Sequence, residues 1–174
     1  MQGRNFGVIF LLQAIFWDIV VKLDAFDLAL LRELQRDSSR SIDDLAALVN
    51  LSRNACWRRV KALEEAGVIK ARVALLEPEA VNAGLCVIIS LRTSTHDETW
   101  ATRFRDAVAT IPEIVGAYRT AGEIDYILKA RVPDVAAYDR LYKKLIARVE
   151  MLDVSASFVM EQLKETTELP LDYV

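Results

Sequence analysis

Apolar positions recur at helical spacing three times in the first half of the chain. Leu23, Asp27, Leu30, Leu31 and Leu34 fall near one helix face, and Asp37-Ser38-Ser39 ends that pattern. Ser41 can cap a second, short helix, with Asp44 three residues on and Leu45, Leu48 and Val49 on its inner face. Asn50-Leu51 breaks the pattern. Ser52 then opens a longer helix that runs to Ala66 and closes at Gly67. Within it Cys56, Val60 and Leu63 recur at i, i+4 and i+7 and point inward. Two helices joined by so short a turn predict a helix-turn-helix, and the first helix supplies the apolar wall of a three-helix, winged-helix-like unit. Val68 to Leu75 alternates weakly and is β-prone, which predicts a short wing strand before a linker.

The second half changes period. Leu85 to Thr93 is an apolar, β-prone run. Thr95-His96-Asp97-Glu98 reads as a capping box, and a helix follows to about Ala109 with Trp100, Phe104, Ala107 and Val108 inward. Ile114 to Thr120 and Tyr126 to Val132 are strands joined by the tight connection Ala121 to Asp125. Pro133-Asp134 starts another helix with Tyr138, Leu141, Leu145 and Val149 inward, and a last strand centres on Ser155 to Met160. The order β-α-β-β-α-β predicts a ferredoxin-like domain, so the fold class is α+β. The boundaries that result are an extension over 1–22, a helix-turn-helix domain over 23–72, a linker over 73–83 and the ferredoxin-like domain with its tail over 84–174. Such a sheet, with both helices on one side, leaves its other face bare, and burial against a second subunit predicts a homodimer at least.

Composition narrows the chemistry. The 174 residues carry a net charge of −3, which excludes a wholly basic nucleic-acid coat protein. Charge is nonetheless segregated: Ser52 to Arg72 holds six bases against two acids, a local +4. Cys56 and Cys86 have neither disulfide nor metal spacing and suit small apolar core positions in a reduced, cytoplasmic protein. The single His96, in the polar run TSTHDE, is expected to be a solvated loop residue and cannot support Ser-His-Asp or Cys-His chemistry. No enzyme, metal or cofactor is therefore expected. Residues 1–22 are apolar but broken by Gln13 and Asp18, so they form no uninterrupted span of about 18 residues. Three readings stay open for them: an added packing element, a start-site artefact, or a membrane-surface anchor.

On the Ser52–Gly67 helix the phasing leaves Arg53, Asn54, Trp57, Arg58 and Lys61 on the outer faces. Arg53 and Asn54, near its amino end, are candidates for base reading. Arg58, Arg59 and Lys61 are candidates for phosphate anchoring. Trp57 could be core, brace a partner, or lie on the DNA backbone. The caps Ser41 and Ser52 complete the set expected at double-stranded DNA. In the second half, the Gly122–Asp125 loop is the candidate small-molecule site: Gly122 lets a ligand approach the backbone, and Glu123 or Asp125 could hold an ammonium group. An ordinary hairpin turn with solvated acids is the alternative.

Four stretches, LDAFDLALLRELQRDSSRSIDDLAALVNLS, CWRRVKALEEAGVIK, YRTAGEIDYILKARVPDVAAYDRL and SFVMEQLKETTELPL, occur in this order over Leu23 to Leu171. The whole resembles the Lrp/AsnC, or feast/famine, family of transcription regulators. The resemblance implies a DNA-binding domain joined to a ligand-sensing domain, dimers formed through the sensing domain and often assembled into octamers. It also implies an amino-acid effector at the turn Thr120, Ala121, Gly122, Glu123, Ile124 and Asp125. The chain departs from the family pattern at Arg53-Asn54-Ala55 and Trp57 around the cysteine, at Glu123-Ile124 in the turn, and at Glu150-Met151 before the last strand. An architectural DNA-bending protein without an effector is one rival reading. A sirohaem-decarboxylase-like enzyme on the same fold is another.

Overall fold

The computed structural model describes residues 21–95 and 97–174. The expectations for residues 1–20 and for His96 fall outside them. The chain divides into two compact units, one reaching Val73 and including Thr166–Val174, the other Ala74–Glu165.

The first unit contains α1 (Ala25–Arg36), α2 (Ile42–Leu48) and α3 (Arg53–Glu65). Each begins at a polar cap, because the first turn of a helix has backbone N–H groups with no partner inside it. Asp24 accepts from the N–H groups of Phe26 and Asp27, and Asp27 returns a bond to the Asp24 N–H. Ser41 accepts from the Asp44 N–H and Ser52 from the Ala55 N–H. Gly67, at φ +72°, closes α3 in the left-handed region that favours glycine. The core joins Leu30, Leu34, Leu45, Ala46, Val49, Cys56 and Val60. Leu48 corrects the expected phasing of α2: it is half exposed, and Ala46 takes the inward place. The helix is short, and Leu45, Ala46 and the capping Val49 meet the core while Leu48 stays outside.

The wing strand expected over 68–75 does not form. A strand needs a neighbour to take its N–H and C=O groups, and this stretch has none among the described residues; Val73, Leu75 and Leu76 are exposed. The tail also differs from the expected division, since Thr166–Val174 joins the first unit. The Gln35 amide there accepts from the Leu169 N–H at 2.6 Å and donates to its carbonyl at 3.3 Å.

The second unit is β1 (Leu85–Arg92), α4 (Glu98–Thr110), β2 (Ile114–Arg119), β3 (Tyr126–Val132), α5 (Val135–Ile146) and β4 (Asp153–Phe158). All neighbouring strands are antiparallel, in the order β2-β3-β1-β4. This is the expected βαββαβ arrangement. Asp97, rather than Thr95, caps α4, and Asp134 caps α5. Val87, Ile89, Leu91, Leu128, Ala130 and Val132 face Trp100, Phe104, Leu141 and Leu145 in one core. Strand alternation sends Ile88, Ser90, Ile127, Lys129 and Arg131 to the other face. Gln162 and Glu165 fold onto that face and bind Arg131 at 3.0 and 3.1 Å, with Glu165 also paired to Lys129. Among the described residues no helix is long and apolar enough to cross a membrane.

Candidate nucleic-acid interface and ligand turn

Helix α3 presents one polar ridge to solvent. Asn54, Trp57, Arg58 and Lys61 follow each other at i, i+3, i+4 and i+7 and are all exposed, opposite the buried Cys56, Val60 and Leu63. Asn54 and Arg58 have no side-chain hydrogen bond or ion pair among the described residues. Lys61 lies over the Trp57 ring, its Nζ 5.2 Å from the centroid, and 3.6 Å from Glu65. Arg53 Nε sits 3.1 Å from Asp43 Oδ1, which holds the start of α3 to the start of α2. That pair is solvent-exposed, so a phosphate can compete for the guanidinium at little cost. The amino end of α3, with Ser52 as cap, has the polarity that suits an anion.

Arg59, also expected as a phosphate anchor, stands apart from this ridge. Its Nη1 is 2.8 Å from both Asp24 and Asp27, and its guanidinium lies over the Phe26 ring at 5.4 Å. One helical step of 100° from Arg58 turns it toward α1 instead of outward. The Asp27 N–H and then Arg59 hold the Asp24 carboxyl below its ordinary range. Asp24, Asp27 and Asp43 were not foreseen as supports for the basic residues. Their position beside caps in the first turns of α1 and α2 was legible, but their cationic partners lie elsewhere in sequence.

The turn between β2 and β3 is braced from inside. The Thr120 hydroxyl donates to the Ile124 carbonyl, and the Thr120 N–H to the Asp125 carbonyl at 2.9 Å. Asp125 reaches across to the end of β1: its N–H donates to the Leu91 carbonyl at 3.0 Å, and its Oδ2 accepts from the Thr93 N–H at 2.9 Å. Gly122 sits at φ +144°, and an added Cβ would meet nothing within 4 Å. The glycine is needed there for its backbone angle, with open space around it. Ala121, Gly122 and Glu123 are exposed, while Ile124 and Asp125 are partly covered. Of the two acids, Asp125 builds the turn and Glu123 is left toward solvent. Thr93, buried and unforeseen, is the anchor that ties this turn to the central strand. A shallow depression of about 440 Å³ lined by Arg40, Asp44, Ala47 and Leu48 includes neither the α3 ridge nor this turn.

Two family models match the chain: "Winged helix-turn-helix DNA-binding" over residues 23–70 and "Lrp/AsnC ligand binding domain" over 86–169. A glutamate uptake regulatory protein of Zymomonas mobilis is 46% identical over 88% of this chain and 93% of its own length. The DNA-binding transcriptional activator DecR of Escherichia coli is 43% identical over 86% of this chain and 99% of its own. Among solved structures, an AsnC family transcriptional regulator from Agrobacterium tumefaciens superposes with a TM-score of 0.84 at 51% identity, covering 87% of this chain and 99% of its own. A Neisseria meningitidis transcriptional regulator in complex with L-methionine gives the same TM-score at 33% identity, covering 87% and 99%.

Proposed function

This chain belongs to the Lrp/AsnC family and is a DNA-binding transcription regulator with a ligand-binding domain; from that premise we propose how it divides the work among its residues. Two copies join through the open faces of their sheets, and dimers assemble further, up to an octamer, in the cytoplasm. Each dimer sets two α3 helices in successive major grooves. Arg53 and Asn54 read base edges, Arg58 and Lys61 bind phosphates, and Ser41 and Ser52 place the two helix starts against the backbone. Arg59 has no direct share in this. An L-amino acid binds at Thr120–Asp125 and favours one assembly state over another, which changes DNA affinity. Glu123 meets the ligand ammonium, and Asp125 keeps the turn in shape by its bond to Thr93.

The observation that carries the DNA half is the α3 ridge, where Asn54 and Arg58 stand exposed without side-chain partners among the described residues. The test combines DNA binding with a ligand screen. Arg58→Ala weakens binding to all duplexes and lowers the salt slope by about one unit, as loss of one phosphate contact requires. An unchanged slope removes Arg58 from the interface. A thermal-shift screen with the twenty amino acids then identifies an effector. Glu123→Gln and Asp125→Ala both lose its effect on DNA binding, while DNA binding without effector persists. A full response in both variants excludes this turn, and a screen without any hit supports the architectural reading.

A further inference from the structure

Trp57 is 53% exposed, although the adjacent Cys56 is fully buried. It occupies the middle of the Asn54–Trp57–Arg58–Lys61 ridge. The helical core closes around Leu30, Leu34, Leu45, Val49, Cys56 and Val60 without it. Its placement is nevertheless defined, because the Lys61 ammonium rests over the ring. A large, stiff apolar group has thus been set among the polar groups of the surface that turns toward DNA.

The chemistry of the major groove says what such a group can recognise. Guanine offers N7 and O6 there, adenine N7 and N6, cytosine N4, and thymine O4; only thymine adds an apolar group, its C5 methyl. The carbon surface of an indole placed on any of the polar edges would strip water from them and return no hydrogen bond. Its single donor, Nε1–H, satisfies at most one acceptor. Against the thymine methyl the same surface gains apolar burial. We infer that Trp57 is a thymine reader, its ring seated on one C5 methyl in each half-site, with Lys61 holding the ring from behind. This rests on the reading of α3 as the helix that enters the major groove.

The test uses the full chain and a duplex site selected with it from a random pool. Each thymine of that site is replaced singly by deoxyuridine, which removes only the methyl. Affinities are measured for wild type, Trp57→Ala and Arg58→Ala. Wild type loses about fourfold at one thymine position per half-site, the value of one buried methyl. The loss disappears in Trp57→Ala and persists in Arg58→Ala. Wild-type indifference to every uracil, or the same uracil penalty in Trp57→Ala, overturns the inference. So does a Trp57→Ala defect that is equal on all duplexes, which marks a contact with the sugar-phosphate backbone. Failure of the underlying reading looks different: Arg58→Ala then binds with wild-type affinity and salt dependence. If instead Arg58→Ala is weakened while no uracil penalty depends on Trp57, only the thymine assignment falls. The wild-type arm uses unaltered protein, so no folding defect can imitate its uracil penalty.

Discussion

Arg58 and Arg59 are neighbours of identical chemistry with separate tasks. Arg59 is two-thirds covered and shared between two carboxylates, so its charge is spent on joining α3 to the start of α1. Arg59→Ala leaves Asp27, whose side chain is only 15% exposed, without its cation. A loss of about 1 kcal/mol of stability is expected in urea melts, with the salt slope of DNA binding unchanged. A variant as stable as wild type but with a reduced slope would return Arg59 to the phosphate set. Asp24 adds a pH signature. Its carboxyl titrates below its unfolded value, chiefly because of the Asp27 N–H and then Arg59. A depressed folded pKa contributes stability that is complete above about pH 4 and is lost as pH falls through the folded value. The stability gap between wild type and Asp24→Asn should therefore be widest near neutrality and close in acid. A gap that stayed constant from pH 7 to pH 3 would contradict the pairing.

At the scale of elements, caps and periodicity were legible because they are local. Ser41, Ser52, Gly67 and the 56–60–63 stripe place α2 and α3 from sequence alone, and Tyr126–Val132 forms the strand expected of it. What escaped was long-range. Asp27 lies 32 residues from Arg59 and Thr93 lies 32 residues from Asp125, so no window of sequence displays these pairs. The alternation over 68–75 is real, but a strand exists only with a neighbour, and the described residues offer none. Leu48 was misplaced because seven residues of helix fix a face only loosely. Ser52 tests what a local signal is worth. Ser52→Ala removes the cap of α3 and should cost about 1 kcal/mol. Ser52→Asp caps nearly as well, within a few tenths of a kcal/mol, yet it puts a negative charge where the proposed interface brings the helix start to phosphate. Thermal melts should separate Ala from wild type and leave Asp close to it. Gel shifts should find Asp the weaker DNA binder at low salt, with the deficit shrinking as salt rises. If Asp binds DNA as well as wild type, the start of α3 does not approach the backbone.

At the scale of the whole molecule, the proposed dimer puts the open face of the sheet between its two DNA-reading helices. Ile88, Ser90 and Ile127 lie on that face, and Tyr118, opposite Ile127 on β2, is exposed. Lys129 and Arg131 are both paired with Glu165, so an approaching copy meets apolar groups and partly compensated charge. Ile127 is the sharpest place to intervene. Its neighbour Leu128 belongs to the core, whereas Ile127 itself is partly exposed in the single chain, so Ile127→Asp leaves the internal packing intact. In a dimer the new carboxylates would be buried beside one another without partners, which the interface cannot sustain. Sedimentation should then report the mass of one chain. Each helix-turn-helix would bind only its own half-site, and affinity for a two-half-site duplex should fall by about a hundredfold or more, the gain that linking two readers ordinarily brings. Affinity for an isolated half-site should stay as in wild type. An Ile127→Asp protein that still sediments as a dimer would move the interface off this face and leave the exposed Val73–Leu76 stretch as the next segment to substitute.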